Sequence, residues 1–282
     1  MSFLSRMKLI YQISLIGLAA LSIFAIVAMV LFVADYQRQT AETTAEEAVD
    51  DRLIVDGIAR EFLNARRREK DFLLRLDEKY AADHAETVAI VQSDLKKLSD
   101  DPALDPFDGQ ISSIATSFDN YAAQFEIIAD LQQKIGLNEE SGLLGSLRAS
   151  VHYVEEALDQ YKADKLTIIM LMMCRHEKDF LARIDPTYVA RIDDRLAEFG
   201  PALTAADSIP AAEKQKIADL MKSYVTDFKA LAAGILQREE ELGKLSDYYA
   251  AAEPVLEQLS ADIAASAATT KAEAHLSLIH IP

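Results

Sequence analysis

Arg67-Arg-Glu-Lys-Asp-Phe-Leu-Leu-Arg-Leu-Asp-Glu-Lys-Tyr80 is read again 108 residues later, as Arg175-His-Glu-Lys-Asp-Phe-Leu-Ala-Arg-Ile-Asp-Pro-Thr-Tyr188. Nine of the fourteen positions are identical, among them Arg67/Arg175, Glu69/Glu177, Asp71/Asp179 and Phe72/Phe180. A repeat at this period implies two copies of one supersecondary unit, each carrying a dense charged cluster.

Outward from the repeat, every long segment has the apolar spacing of a helix and none alternates like a strand. The first repeat ends a helix whose seam runs through Val55, Ile58, Phe62, Ala65, Glu69, Phe72 and Leu76. A second helix is expected from about Glu78 to Leu98, before a loop broken by Pro102, Pro106 and Gly109. A third follows through Ile111, Phe118, Tyr121, Phe125 and Ile135, interrupted by Gly136, Gly142 and Gly145. From Leu147 the period carries on unbroken to Ile184, so one helix is expected there. A short helix over about 187–199 and a long last one from Pro210, with Arg238 interrupting its seam, complete the chain. The fold class is therefore all-α.

At the N-terminus, Leu9–Ala34 is 26 residues without a charge. About 20 apolar helical residues cross a bilayer, so this segment is expected to be a transmembrane helix. Arg6 and Lys8 precede it and Asp35 follows, which puts residues 1–8 in the cytoplasm and residue 35 onward outside the inner membrane. The chain carries −17 and its first 34 residues +2, so residues 35–282 carry −19. Such a domain repels nucleic acid, and any anionic ligand must be held by local arginines. Cys174 is the only cysteine, in an apolar run that reads as core, and excludes an intrachain disulfide. The five histidines have no ligand spacing, so no metal or other cofactor is expected. Without a nucleophile–base constellation or a Gly-rich phosphate loop, no enzyme is expected either. Leu276–Ile281 resembles the in-frame translation of a sequencing-library adaptor; residues 276–282 are expected to be a non-native tail on a truncated gene.

Length counting arranges the helices. At about 1.5 Å per residue, residues 35–76 rise about 60 Å from the membrane and residues 78–98 return about 30 Å. If residues 109–184 continue upward by about 110 Å, the last helix descends to the membrane, and two bundles stack on shared long helices. The repeats then sit at different heights, each near the tip of its own bundle. Glu69 and Glu177 fall on apolar seams, where an unpaired carboxylate costs several kcal/mol, so each needs a partner. For Glu69 the counting nominates Arg238, in the same layer. Arg67–Asp71, Asp71–Arg75, Arg175–Asp179 and Asp179–Arg183 are i,i+4 pairs of modest worth. Arg66, Arg67 and Arg68 offer three guanidinium forks within one turn, a seat for a small carboxylate. The expected proximal ligand site is Arg67 with Arg66, Arg68, Arg60, Arg238 and Tyr121; the distal one is Arg175 with His176 and Arg183.

An N-terminal anchor, a six-helix region of about 240 residues and Arg-x-Glu-Lys-Asp-Phe-Leu twice resemble the helical bimodular sensor domain of bacterial methyl-accepting chemotaxis receptors and related sensor kinases. The resemblance implies two stacked four-helix modules. The membrane-proximal one would take about 35–135 plus 241–275 and the distal one about 136–240, within a periplasmic domain of 35–275. It implies small organic acids as ligands, with Arg67 and Arg175 as the transferable contacts. His176 departs from Arg68, its counterpart in the first repeat, and makes the upper site potentially pH-sensitive. A chemoreceptor fragment that pairs with an identical chain is the favoured expectation. The input domain of a histidine kinase or cyclic-dinucleotide enzyme, and a ligand-free membrane-tethered helical protein, are the alternatives.

Overall fold

The computed structural model describes the backbone of residues 9–279 and the side chains of residues 13–272 except 45. The expected cytoplasmic segment 1–8 and the last three residues of the suspected tail lie outside the described residues. The chain is all-helical, with no strand among the described residues. In order, the helices are α1 (Leu9–Arg75), α2 (Glu78–Ser99), α3 (Asp108–Ile135), α4 (Gly142–Gln160), α5 (Asp164–Arg183), α6 (Thr187–Thr204) and α7 (Ala211–Ile279). A 3₁₀ turn, Pro102–Phe107, links α2 to α3.

Helix α1 starts in the apolar segment and continues without interruption to the first repeat. Its N-terminal part is long and apolar enough to cross a membrane, and none of that apolar window is buried against the rest of the chain. Phe24, Leu31 and Phe32 are each largely exposed. In water such a face would be costly, at about 25 cal/mol per Å² of apolar surface.

The repeats encode a hairpin. α1 stops because Leu76 adopts the left-handed conformation (φ 52°), its N–H bonded to Phe72 O at 2.8 Å. Asp77 then caps α2, its Oδ1 accepting the Lys79 N–H at 2.9 Å. In the second repeat Ile184 has φ 53° with its N–H bonded to Phe180 O, and Asp185 accepts the Thr187 N–H at 2.9 Å. A left-handed residue with a Cβ costs roughly 1–2 kcal/mol, so two identical instances mark a common design. The rest of each turn is duplicated as well. Arg75 lies over the Tyr80 ring at 5.6 Å and Arg183 over the Tyr188 ring at 5.8 Å.

Side-chain pairs between helices give the directions. α1 runs against α7, through Asp56–Ser260 and Arg66–Ser246. α2 runs against α3, through Glu78–Gln133 and Gln92–Asp119. α3 climbs along α7, through Gln110–Asp262, Gln124–Glu241 and Gln132–Arg238. α4 continues the same climb, through Ser146–Asp227 and Tyr153–Glu213. The Gly136–Gly145 connection is therefore not a reversal. It is a tight link in which Gly136 (φ 124°) and Gly142 (φ 57°) leave no space for a side chain. A Cβ there would lie 2.3 Å from Ser141 O and 2.6 Å from Lys134 O, respectively.

The single helix expected over 147–184 does not form. The chain reverses at Tyr161–Ala163, where Lys162 is left-handed (φ 51°) and Ala163 N–H reaches back to Leu158 O at 3.0 Å. That bond closes a Schellman-type stop in which lysine occupies the usual glycine position. α5 then runs in the same sense as α7, through Glu177–Tyr224 and Phe180–Phe228, and α6 runs against it, through Asp193–Lys229. The climb from residue 108 therefore ends at Gln160 after about 80 Å, rather than 110 Å. Because Lys162 is exposed and makes its turn at the cost of a left-handed Cβ, Lys162→Gly is expected to raise stability by about 0.5–1 kcal/mol. A urea midpoint unchanged or lowered by this substitution would argue against the turn.

Buried side chains form two clusters. One joins α1, α2 and α3 to Leu245–Ile263 of α7, around Phe62, Phe72, Phe118, Tyr121 and Phe125. The other joins α4, α5 and α6 to the first half of α7, around Met170, Phe180, Phe199, Tyr224 and Phe228. Between them Ile135 packs at Gly234, 3.4 Å from where a Cβ would stand. The α1–α2 turn lies level with Gln133, and the α5–α6 turn, one helical turn beyond Phe180, comes level with about residue 232. The two hairpin tips thus approach the same stretch of α7 from opposite sides. The second repeat lies at the near end of its cluster, and not at the far tip expected from counting.

Candidate functional site

In the first repeat, Glu69 is fully buried. Its Oε2 accepts from Arg66 Nη1 at 2.6 Å and from Tyr121 Oη at 3.1 Å. Lys70 Nζ stands 2.8 Å from Oε1 as an ion contact without hydrogen-bond alignment, so Oε1 remains unsatisfied as an acceptor. Arg66 carries the layer across to α7: its Nη2 donates to Ser246 Oγ at 2.9 Å, and its guanidinium lies 5.2 Å from the Tyr249 ring centre. Tyr249 stacks on Phe62 at 4.9 Å. Burial first, and then the Glu69 carboxylate, push the Tyr121 hydroxyl far above its ordinary range, so it stays a donor.

The expected Glu69–Arg238 layer is absent. Arg66, three residues away on the same helix, is the cation, and α7 enters the layer at Ser246. Arg238 lies eight residues earlier, about 12 Å along the helix. Its Nη1 donates to Gln132 Oε1 at 2.6 Å and its Nη2 pairs with Glu239, while Gln132 Nε2 donates to Gly136 O. Arg238 thus belongs to the junction between the two clusters.

The second repeat reproduces half of the layer. Glu177 is half-buried and accepts from Tyr224 Oη at 2.8 Å. Cys174 occupies the place of Arg66, 108 residues on, and among the described residues no guanidinium pairs with this carboxylate. Burial accordingly raises the Glu177 pKa against the pull of the Tyr224 hydrogen bond, and burial pushes the half-buried Cys174 thiol up to about 11. Each repeat also sets its phenylalanine edge-on to another: Phe72 on Phe125 and Phe180 on Phe228, both at 5.6 Å.

No family model, curated protein or solved structure matches this chain.

Of the proximal candidates, the structure brings Arg66 and Tyr121 together around Glu69. Arg68 lies beside them but pairs with Asp83 of α2 at 3.2 Å. Arg60 and Arg67 are exposed on the outer side of α1, away from the layer. Asp71 pairs with Arg75 at 3.4 Å, and among the described residues no ion pair joins it to Arg67. Of the distal candidates, Arg175 and Arg183 are exposed and flank Asp179 at 3.8 and 3.9 Å. His176 alone is buried, between α5 and α6. Burial, then Arg191 and Arg195, lower its pKa below that of an ordinary imidazole.

Several partners were not found by reading the sequence. Ser246, Tyr249 and Gln132 carry no repeat signal. Tyr121 and Phe125 do have counterparts in Tyr224 and Phe228, a second Tyr-x-x-x-Phe 103 residues on. That repeat supplies the acceptor-facing hydroxyl for each glutamate and was legible in principle. Arg191 and Arg195 share the Tyr188 face of α6 at helical spacing, a face identified only once α5 is known to turn back.

Proposed function

We propose that this chain is part of a transmembrane sensor whose extracytoplasmic region binds small organic acids, in the manner of the helical bimodular sensors of chemotaxis receptors. The reading takes the two buried clusters as two stacked four-helix modules: α1, α2, α3 and the C-terminal half of α7, then α4, α5, α6 and the N-terminal half of α7. It places the apolar start of α1 in the inner membrane and the modules in the periplasm. A second identical chain completes the receptor, since two-fold pairing is the commonest assembly.

One observation carries this reading: a charged, buried layer, Arg66–Glu69–Tyr121, ties α1 to α3 and, through Ser246, to α7. A guanidinium has five N–H donors, and this one uses only two, so a ligand carboxylate can share the fork. Arg66 is also the one arginine of the Arg66–Arg68 cluster that contacts α7. Because α1 is a single helix from the apolar segment to this layer, a ligand that draws Arg66 away from Ser246 would shift α1 against α7, and small displacements of this kind are a known output of switching proteins.

The test is thermal unfolding of the full chain in lipid nanodiscs with acetate, succinate and citrate. At least one acid is expected to raise the midpoint. At a hundred times its dissociation constant it would add about 2.7 kcal/mol, and Arg66→Gln would abolish the effect. A folded protein indifferent to all three acids would remove the proposal.

A further inference from the structure

We propose a site for a hard divalent cation, calcium above all, in the small cavity where α1, α7 and the 3₁₀ turn meet. Asp51 and Glu47 would hold it, with the hydroxyls of Thr44, Ser266 and Thr270. The site lies about 22 Å along α1 from Arg66, fifteen residues away, and does not depend on the organic-acid reading.

The first argument is a buried charge without a partner. Asp51 is 8% exposed, and among the described residues no hydrogen bond or ion pair reaches its carboxylate. Glu69, the other deeply buried carboxylate, shows the contrast, with a guanidinium and a phenol hydroxyl donating to it. Buried polar groups are rarely left unpaired, so Asp51 calls for a positive or donating group. Its neighbours supply the reverse. Burial first, and then Asp101, Glu47 and Asp50, hold its carboxyl above the ordinary range.

The second argument is the cavity that Asp51 lines. Its volume is about 50 Å³, with Leu104 and Phe107 of the 3₁₀ turn as its apolar side and Glu47, Thr44, Ser266 and Thr270 as its polar one. That is room for an ion and a water, and too little for an organic ligand. The polar side offers acceptors. Thr44 Oγ1 donates its proton to Thr40 O at 3.0 Å, and Thr270 Oγ1 donates to Ser266 O at 3.1 Å. Both keep lone pairs to give, and no Lys, Arg or His lines the cavity. Oxygens of this kind, gathered around an unpaired carboxylate, fit a cation.

The ligand set narrows the ion. Every candidate ligand is an oxygen, which suits calcium or magnesium and not zinc or copper. Among the described residues no three His, Cys, Asp or Glu side chains converge on one point, so hydroxyls and water complete the shell and binding is weak. Calcium accepts such a mixed, irregular shell, whereas magnesium demands a near-ideal octahedron. Histidine spacing, on which the expectation of no metal rests, says nothing about an oxygen-only site. A bound ion would tie α1 to α7 and to the turn that leads into α3.

The experiment is thermal unfolding of the full chain in phosphatidylcholine nanodiscs, titrated with calcium chloride and, in parallel, with sodium chloride of equal ionic strength. Calcium is expected to raise the midpoint saturably by about 3 °C or more, half of it by about 1 mM, beyond anything sodium does. Asp51→Asn should raise the midpoint in calcium-free buffer, because it removes an unpaired buried charge, and should lose the calcium response. Glu257→Gln removes an exposed acid of α7 outside the cavity and should keep the response, as should Arg66→Gln, which separates this site from the layer above it. A midpoint that calcium moves no more than sodium does, or that still responds to calcium in Asp51→Asn, would overturn the assignment.

Discussion

Replacing Arg66 with alanine is expected to destabilise the protein by about 3 kcal/mol, because it strips the hydrogen-bonded cation from a carboxylate that has no access to water. Glu69 would keep only the Tyr121 hydroxyl and an ill-aligned ammonium, Lys70. The loss is one of burial more than of attraction, so removing the charge as well should recover most of it. Glu69→Gln in the Arg66→Ala background is expected to restore stability, with a coupling energy above about 1 kcal/mol in the double-mutant cycle. Arg67→Ala, one residue away but exposed, should change stability by no more than about 0.5 kcal/mol. Urea midpoints of these variants in nanodiscs decide the matter. Equal effects of Arg66→Ala and Arg67→Ala would contradict a buried layer.

The second large effect is expected on acidification. His84 is buried at 2% exposure, stacked on Phe125 at 3.9 Å, and its Nε2 has no partner. Burial pushes its pKa down from 6.5 to about 4. The folded state thus resists a proton that the unfolded chain accepts readily. Stability is fully present above pH 6.5 and falls as the pH drops from there toward 4, by about 3 kcal/mol in all. Asp51 and Glu177, whose pKa values burial raises, work in the opposite direction. The comparison must therefore be with a variant lacking only the imidazole. The second repeat has Ile192 at the corresponding position, which makes His84→Ile the natural choice. The difference in stability between parent and variant should shift by about 3 kcal/mol from pH 7 to pH 4. A difference that stays constant with pH would mean that His84 reaches water.

What could be read from the sequence follows from the range of each interaction. The seams of α1 and α3 and the break at Asp185 are local patterns, and they appear as the periodicity reads them. The reversal at Lys162 escaped because no glycine or proline marks it. Its stop is made by backbone hydrogen bonds and a strained lysine, while the apolar period passes through undisturbed. Length counting put Arg238 opposite Glu69, but an error of two helical turns is enough to move a guanidinium from the core layer to the junction. Glu69 was recognisable as a buried charge from its seam position. Its cation is not a distant one: it lies three residues away, in an arginine triplet whose members differ only in the direction they face. The approach of Arg191 and Arg195 to His176 depends on the α5–α6 hairpin and has no local signature.

If the layer senses a carboxylate as proposed, ligand binding changes the relation of α1 to α7. Spin labels at Glu46, beyond the apolar segment of α1, and at Lys271, near the C-terminal end of α7, both exposed, would report it in a Cys174→Ala background. Distances should be recorded in nanodiscs with and without saturating succinate. A shift of about 1–2 Å in the distance distribution is expected, and Arg66→Gln should eliminate it. Superimposable distributions with and without succinate in the Arg66 protein would contradict it.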